Sequence, residues 1–190
     1  MSTTELNENL VFFRHWLRHP LRIGAILPSG GDAARAMAKA LPLAAPGLVL
    51  ELGGGTGSLT RALIEAGCPE ARLVVIEREP ELAALLRKRF PAARVIAADA
   101  RLLDRVLAGL DDAHLAGVVS SLPIKWFDVA DQRAVVAPCF DHLDRNGCFL
   151  QLTYGFVSPL AAAELALSGK EIARVWSQIP PVQIWRYWRA

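Results

Sequence analysis

Residues 48 to 57 read LVLELGGGTG, a short apolar run ending in glycines at 53, 55 and 57. The run is too short for a helix, whereas the next stretch, SLTRALIEAG, carries apolar residues at helical spacing. A strand that enters a helix through glycines lets the backbone turn tightly and touch a ligand with no Cβ in the way. The alternation then repeats. RLVVIE, ARVIAAD, AGVVSSLP and GCFLQLTYG read as strands, while PELAALLRKRF, with Pro80 at its start, and DVADQRAVVAPCFDHLD read as helices. A chain organised this way predicts a parallel sheet with helices on both faces.

The rhythm breaks at the end, where IARVWSQ and VQIWRYWR are separated only by a short Pro-Pro turn. Strands joined so closely must be antiparallel, because a parallel crossover needs a dozen or more residues. An α/β chain with a seven-stranded, mostly parallel sheet and a C-terminal antiparallel hairpin resembles the class I S-adenosylmethionine-dependent methyltransferases, a Rossmann-like fold. The 190 residues suit one domain with a sizeable core. Residues 1–190 are expected to form that single domain, with 5–30 as a leading helix and cofactor-covering segment.

Cys68, Cys139 and Cys148 are far apart and form no CxxC pair, so they are expected to be reduced packing residues rather than disulfide or zinc ligands. Neither a cleaved secretory signal nor an uninterrupted apolar run of membrane-spanning length is evident. The net charge of +2 is too small to mark a nucleic-acid binder by itself, but it is unevenly distributed. Residues 9–31 and 172–190 each contain three Arg and no acid, so the remainder of the chain carries −4.

The glycine cluster lacks the last glycine of a dinucleotide fingerprint, where Ser58 stands, and the Lys-Ser/Thr pair of a P-loop. S-adenosylmethionine carries no phosphate and needs other partners. Gly53, Gly55 and Gly57 would form its turn, and Glu77, about 20 residues on at a strand end, lies at the offset of an acid that meets ribose hydroxyls. Arg78 and Ser120 are expected among the cofactor-binding residues. Asp99 resembles the acid that accepts from the adenine amino group in this superfamily, with Ala100 offering a backbone contact beside it. Glu51 would lie near the sulfonium and ammonium. The competing reading makes these acids helix caps or surface groups.

Four stretches carry a closer resemblance: FFRHWLRHPLRIGAILPSG, ELGGGTGSLTRAL, SSLP and PPVQIWRYWR. Together they resemble the small bacterial phospholipid N-methyltransferases, relatives of the ribosomal RNA adenine dimethylases. The resemblance implies methylation of phosphatidylethanolamine and its mono- and dimethyl forms toward phosphatidylcholine, with the enzyme held peripherally on the inner face of the cytoplasmic membrane. The dimethylases read Asn-x-Pro-aromatic after the fourth strand, whereas this chain reads Ser121-Leu122-Pro123-Ile124. An RNA partner is therefore disfavoured, though RNA adenine or a soluble amine stays open as acceptor. A catalytically silent cofactor-binding membrane protein is a further alternative.

On a helical wheel Leu10, Phe12, Phe13, Trp16 and Leu17 share one half, and Arg14, His15, Arg18 and His19 the other, before Pro20 stops the helix. Such a helix suits an anionic membrane interface; packing on the protein's own sheet is the alternative. Ile26 and Ser29 of the following loop are expected to line the cofactor pocket. At the acceptor, Tyr154 is the candidate to hold the amine, relay its proton or offer a π face, with Ser121 beside it. Lys125 is a candidate for phosphate, and Trp126 with Phe127 for headgroup or acyl chain. Trp185, Tyr187 and Trp188 are expected to pack the last strand first.

Overall fold

A computed structural model describes residues 30–110, 114–154, 156–176 and 181–190. Seven strands form one sheet: β1 (Leu48–Leu52), β2 (Leu73–Glu77), β3 (Arg94–Ala97), β4 (Leu115–Ser120), β5 (Leu143–Tyr154), β6 (Leu167–Val175) and β7 (Val182–Arg189). Their order across the sheet is β3-β2-β1-β4-β5-β7-β6. The first five are parallel, and β7 is inserted antiparallel between β5 and β6. The class I methyltransferase fold expected from the alternation is thus the fold observed.

β2 and β4 are buried at every residue, which is why they read as unbroken apolar runs: helices cover both of their faces. On one face α1 (Gly30–Lys39), α2 (Ser58–Glu65) and α3 (Pro80–Arg89) pack Met37, Leu63 and Leu86 against Val49, Val75 and Leu150. On the other, α4 (Leu103–Ala108) and α5 (Val129–His142) pack Leu107, Val135 and Cys139 against Leu50, Val118 and Phe149. Each large side chain so buried contributes about 1.5–3 kcal/mol. Arg72 ties the α1–β1 connection to the sheet by donating to the carbonyls of Gly47 (2.6 Å), Leu43 (2.8 Å) and Ala45.

Three details depart from the sequence reading. β6 begins at Leu167, five residues before the expected run, and Trp176 falls in the turn that follows it. β5 begins at Leu143, where the helix was expected to continue. Helix α1, at GGDAARAMAK, was not anticipated. The three cysteines are buried and free, and burial pushes each thiol's pKa up.

Candidate functional site

Strand order determines where a site can form. β2 lies on one side of β1 and β4 on the other, so the connections leaving β1 and β4 diverge to opposite faces and open a crevice at the strands' carboxyl ends. A cleft lies there, lined by Gly53, Gly55, Glu77, Arg78, Asp99, Ala100, Ser121, Leu122, Pro123 and Phe127, with Ile76, Glu79, Leu82 and Ala98. Eight residues expected at the cofactor or acceptor converge here: Gly53, Gly55, Glu77, Arg78, Asp99, Ala100, Ser121 and Phe127.

The glycine turn is fastened to the end of β2. Gly53 and Gly54 donate to the Ile76 carbonyl, and Gly55 donates to Glu77 Oε2 at 2.8 Å. Glu77 Oε1 accepts from the Glu79 N–H at 2.9 Å, so a carboxylate only 7% exposed is held rigidly at the cleft wall with acceptor capacity remaining on both oxygens. Gly55 has φ +52°, and a Cβ there would project into open space, leaving room for a ligand against the backbone. Gly57 stands outside the cleft. It caps α2 at φ 86°, and an added Cβ would lie 2.5 Å from Phe90 Cε2, so its role is close packing.

Asp99 is both a cap and a cleft residue. It caps a 3₁₀ turn over residues 100–102 and accepts from the Arg101 N–H at 2.9 Å, while the Arg101 guanidinium reaches its two oxygens at 3.0 and 2.7 Å. These bonds hold its carboxyl below the usual carboxylate range. Glu51 lies behind the cleft, fully buried, where Oε2 accepts from the Thr60 hydroxyl at 2.7 Å and Oε1 has no partner among the described residues. Burial pushes its pKa up to about 8. A buried carboxyl with one unused oxygen suits a cationic donor, and together with the acid at the β2 end and the open glycine turn it fits S-adenosylmethionine, which offers ribose hydroxyls and an ammonium.

The opposite wall of the cleft is built by the connection after β4. The Ser121 hydroxyl donates to the Gly53 carbonyl at 2.9 Å and its N–H to the Leu52 carbonyl, joining the two loops of the cleft. Ser120 is fully buried, and its hydroxyl accepts from the Leu122 N–H at 3.3 Å rather than lining the cleft. Ile124 is buried in the core, so the aromatic ring in the wall is supplied three residues later by Phe127. Lys125 and Trp126 lie on the adjoining 3₁₀ turn, the ammonium 5.7 Å from the indole centroid, outside the cleft lining. Tyr154, at the carboxyl end of β5, is 47% exposed and also outside the lining, and burial of its phenol raises its pKa. Phe12, Phe13, Arg14, Trp16, Leu17, Arg18, Ile26 and Ser29 lie outside the described residues.

Two buried glutamines that the sequence reading passed over hold this loop. Gln151 donates to the Leu122 and Leu152 carbonyls at 2.8 and 2.7 Å. Gln132 donates to the Ile124 and Phe127 carbonyls at 3.1 and 3.2 Å and accepts from the Ala161 N–H at 2.9 Å. The available signal was an isolated amide within an otherwise apolar strand, CFLQL.

Comparison with known proteins agrees with this geometry. The family described as "Methyltransferase domain" matches residues 49–147. An ornithine lipid N-methyltransferase of Singulisphaera acidiphila is 31% identical over 153 residues, covering 78% of this chain and 79% of that one. Ribosomal RNA small subunit methyltransferase A of Myxococcus xanthus is 37% identical over 129 residues, covering 65% of this chain and 44% of that one. Among solved structures, a TehB-like SAM-dependent methyltransferase from Corynebacterium glutamicum superposes with a TM-score of 0.59 at 13% identity, covering 100% of both chains.

Proposed function

Because this chain belongs to the S-adenosylmethionine-dependent methyltransferases, we propose that it methylates the amine of a membrane lipid headgroup. The acceptor in this reading is phosphatidylethanolamine and its mono- and dimethyl forms. The observation that carries the lipid assignment is the 31% likeness to a lipid N-methyltransferase across about four-fifths of both chains. The acceptor loop supports it: Leu122, Pro123 and Phe127 make an apolar wall with no side-chain amide of the kind an adenine amino group would need.

S-adenosylmethionine, when bound, supplies an electrophilic methyl group on a sulfonium. Glu77 would take the ribose hydroxyls, Asp99 and the Ala100 backbone the adenine edge, and Glu51 the ammonium. Gly53 and Gly55 let the backbone close against the ligand. Positioning of the amine carries much of such a transfer, and Ser121 with the wall at 122–127 does the positioning. Tyr154, its phenol pKa raised by burial, acts as an acceptor for an amine N–H or a π face to the methylated nitrogen rather than as the base that takes the ammonium proton. The likeness to ribosomal RNA methyltransferases favours a second reading, methylation of RNA adenine, over the 129 residues the two chains share.

The test is transfer of labelled methyl from S-adenosylmethionine to phosphatidylcholine vesicles containing phosphatidylethanolamine, ornithine lipid or neither, with RNA as a separate acceptor. Label in mono-, di- and trimethylated phosphatidylethanolamine is the expected result. Label in ornithine lipid alone replaces the acceptor, and label in RNA alone overturns the lipid reading.

A further inference from the structure

Seven large apolar side chains stand exposed among the described residues: Leu102, Val129, Tyr154, Phe156, Val157, Trp176 and Trp188. All except Trp188 share one end of the molecule. Leu102 follows β3, Val129 opens the helix after β4, and Tyr154 to Val157 lie at and just beyond the end of β5. Trp176 follows β6, whose last residue Val175 is paired with Val182, the partner of Tyr154 on the other side of β7. This is the carboxyl end of the parallel strands, where the cleft opens.

The cluster is densest at Phe156, Val157 and Trp176, which are 65%, 56% and 68% exposed. The Arg174 guanidinium lies between two of these rings, 5.5 Å from the Phe156 centroid and 5.4 Å from that of Trp176. Taking about 150–250 Å² for an aromatic side chain, this cluster and Tyr154 expose on the order of 500 Å². That is the size of the largest apolar patch on a typical monomer, about 300–600 Å² and often functional, and short of the roughly 800 Å² per partner that a stable dimer buries. Half-exposed Trp, Tyr and Phe around a cation match the composition of a headgroup boundary.

We propose that this edge is a membrane-contact surface in its own right, separate from residues 5–30, which seats the open end of the cleft on the bilayer. The proposal rests on the lipid reading above, since a headgroup can enter the cleft from a bilayer only if the cleft's rim faces it. The charges on this edge are largely matched within the protein: Arg78 pairs with Glu79, Arg101 with Asp99 and Asp131, and Arg174 with Glu171. Contact here is therefore driven by the rings and resists salt, in contrast to attraction of the N-terminal arginines to anionic lipid.

The experiment uses the full chain and its Phe156→Ser/Val157→Ser/Trp176→Ser variant, floated with phosphatidylethanolamine-phosphatidylcholine vesicles at about 0.5 M salt, where exposed charges are screened within a few ångströms. The wild type is expected to float and the variant to lose at least about tenfold in partitioning. Methyl transfer to vesicles should fall in parallel, while transfer to a short-chain lipid dispersed below its micelle concentration is unchanged. The shape-conserving Trp176→Phe variant, read by quenching with bromine-labelled acyl chains, should lose a fluorescence component that the wild type shows. Equal flotation, quenching and vesicle rates in variant and wild type overturn the proposal, as does loss of transfer to the dispersed lipid or a change in oligomeric state without vesicles. If no lipid is methylated yet flotation and quenching still depend on these side chains, the membrane edge stands and the acceptor assignment alone fails.

Discussion

Glu51→Gln isolates the charge of the buried carboxyl with almost no change of shape. In the wild type, desolvation raises the carboxyl to about 8 from an ordinary value near 4.5. The folded state therefore keeps its proton where the unfolded state has lost it. Stability is greatest below the unfolded value and falls as pH rises through the window from about 4.5 to about 8, then levels. The slope is about 1.4 kcal/mol per pH unit, up to roughly 5 kcal/mol across the window. Denaturant unfolding of wild type and variant at intervals from pH 5 to 9, without cofactor, should show the variant gaining on the wild type by that slope. An ammonium placed against Oε1 favours the ionised form, so cofactor binding at pH 7 should release close to one proton. Titration calorimetry in buffers of different ionisation enthalpy measures this, and the Gln variant should release none. Parallel stability profiles combined with no proton release would refute the reasoning.

Glu77→Ala removes the side-chain partner of the Gly55 and Glu79 N–H groups together with the proposed ribose contact. Cofactor affinity should fall at least about 100-fold in calorimetry, on the scale of two charge-assisted bonds, and unchanged binding would remove Glu77 from the site. Gly57→Ala introduces a Cβ 2.5 Å from Phe90 at φ 86°. Strain and overpacking together should cost roughly 2–4 kcal/mol in denaturant unfolding, and a loss below about 0.5 kcal/mol would contradict the packing described.

The parallel half of the sheet was legible because its strands are buried on both faces and must be apolar throughout, as in LVVIE and LAGVVS. The β6 boundary was harder to see. LSGKEIARV is an edge strand with Gly169 and Lys170 exposed and a half-buried Glu171, so it lacks a continuous apolar run. Helix α1 escaped notice because its buried face is mostly Ala33, Ala34 and Ala38, with Met37 the one large side chain. Within the site, Glu77 and Asp99 could be found from sequence because strand ends and glycine spacing fix their surroundings locally. The duties of Gln151 and Thr60 could not, since Leu122 lies 29 residues from the first and Glu51 nine from the second. That Ser120 turns inward while Ser121 meets the cleft is likewise decided by where the chain leaves β4.

The insertion of β7 between β5 and β6 has a consequence for the nascent chain. β6 emerges before β7 but has no place in the sheet until β7 has docked on β5. A chain that has grown only through β6 therefore carries a 12-residue β5 with one side unpaired and a second strand with no neighbour, each a template for strands of other molecules. Aggregation should thus concentrate in partly folded chains whose β7 has not yet docked on β5, whether newly released or refolding.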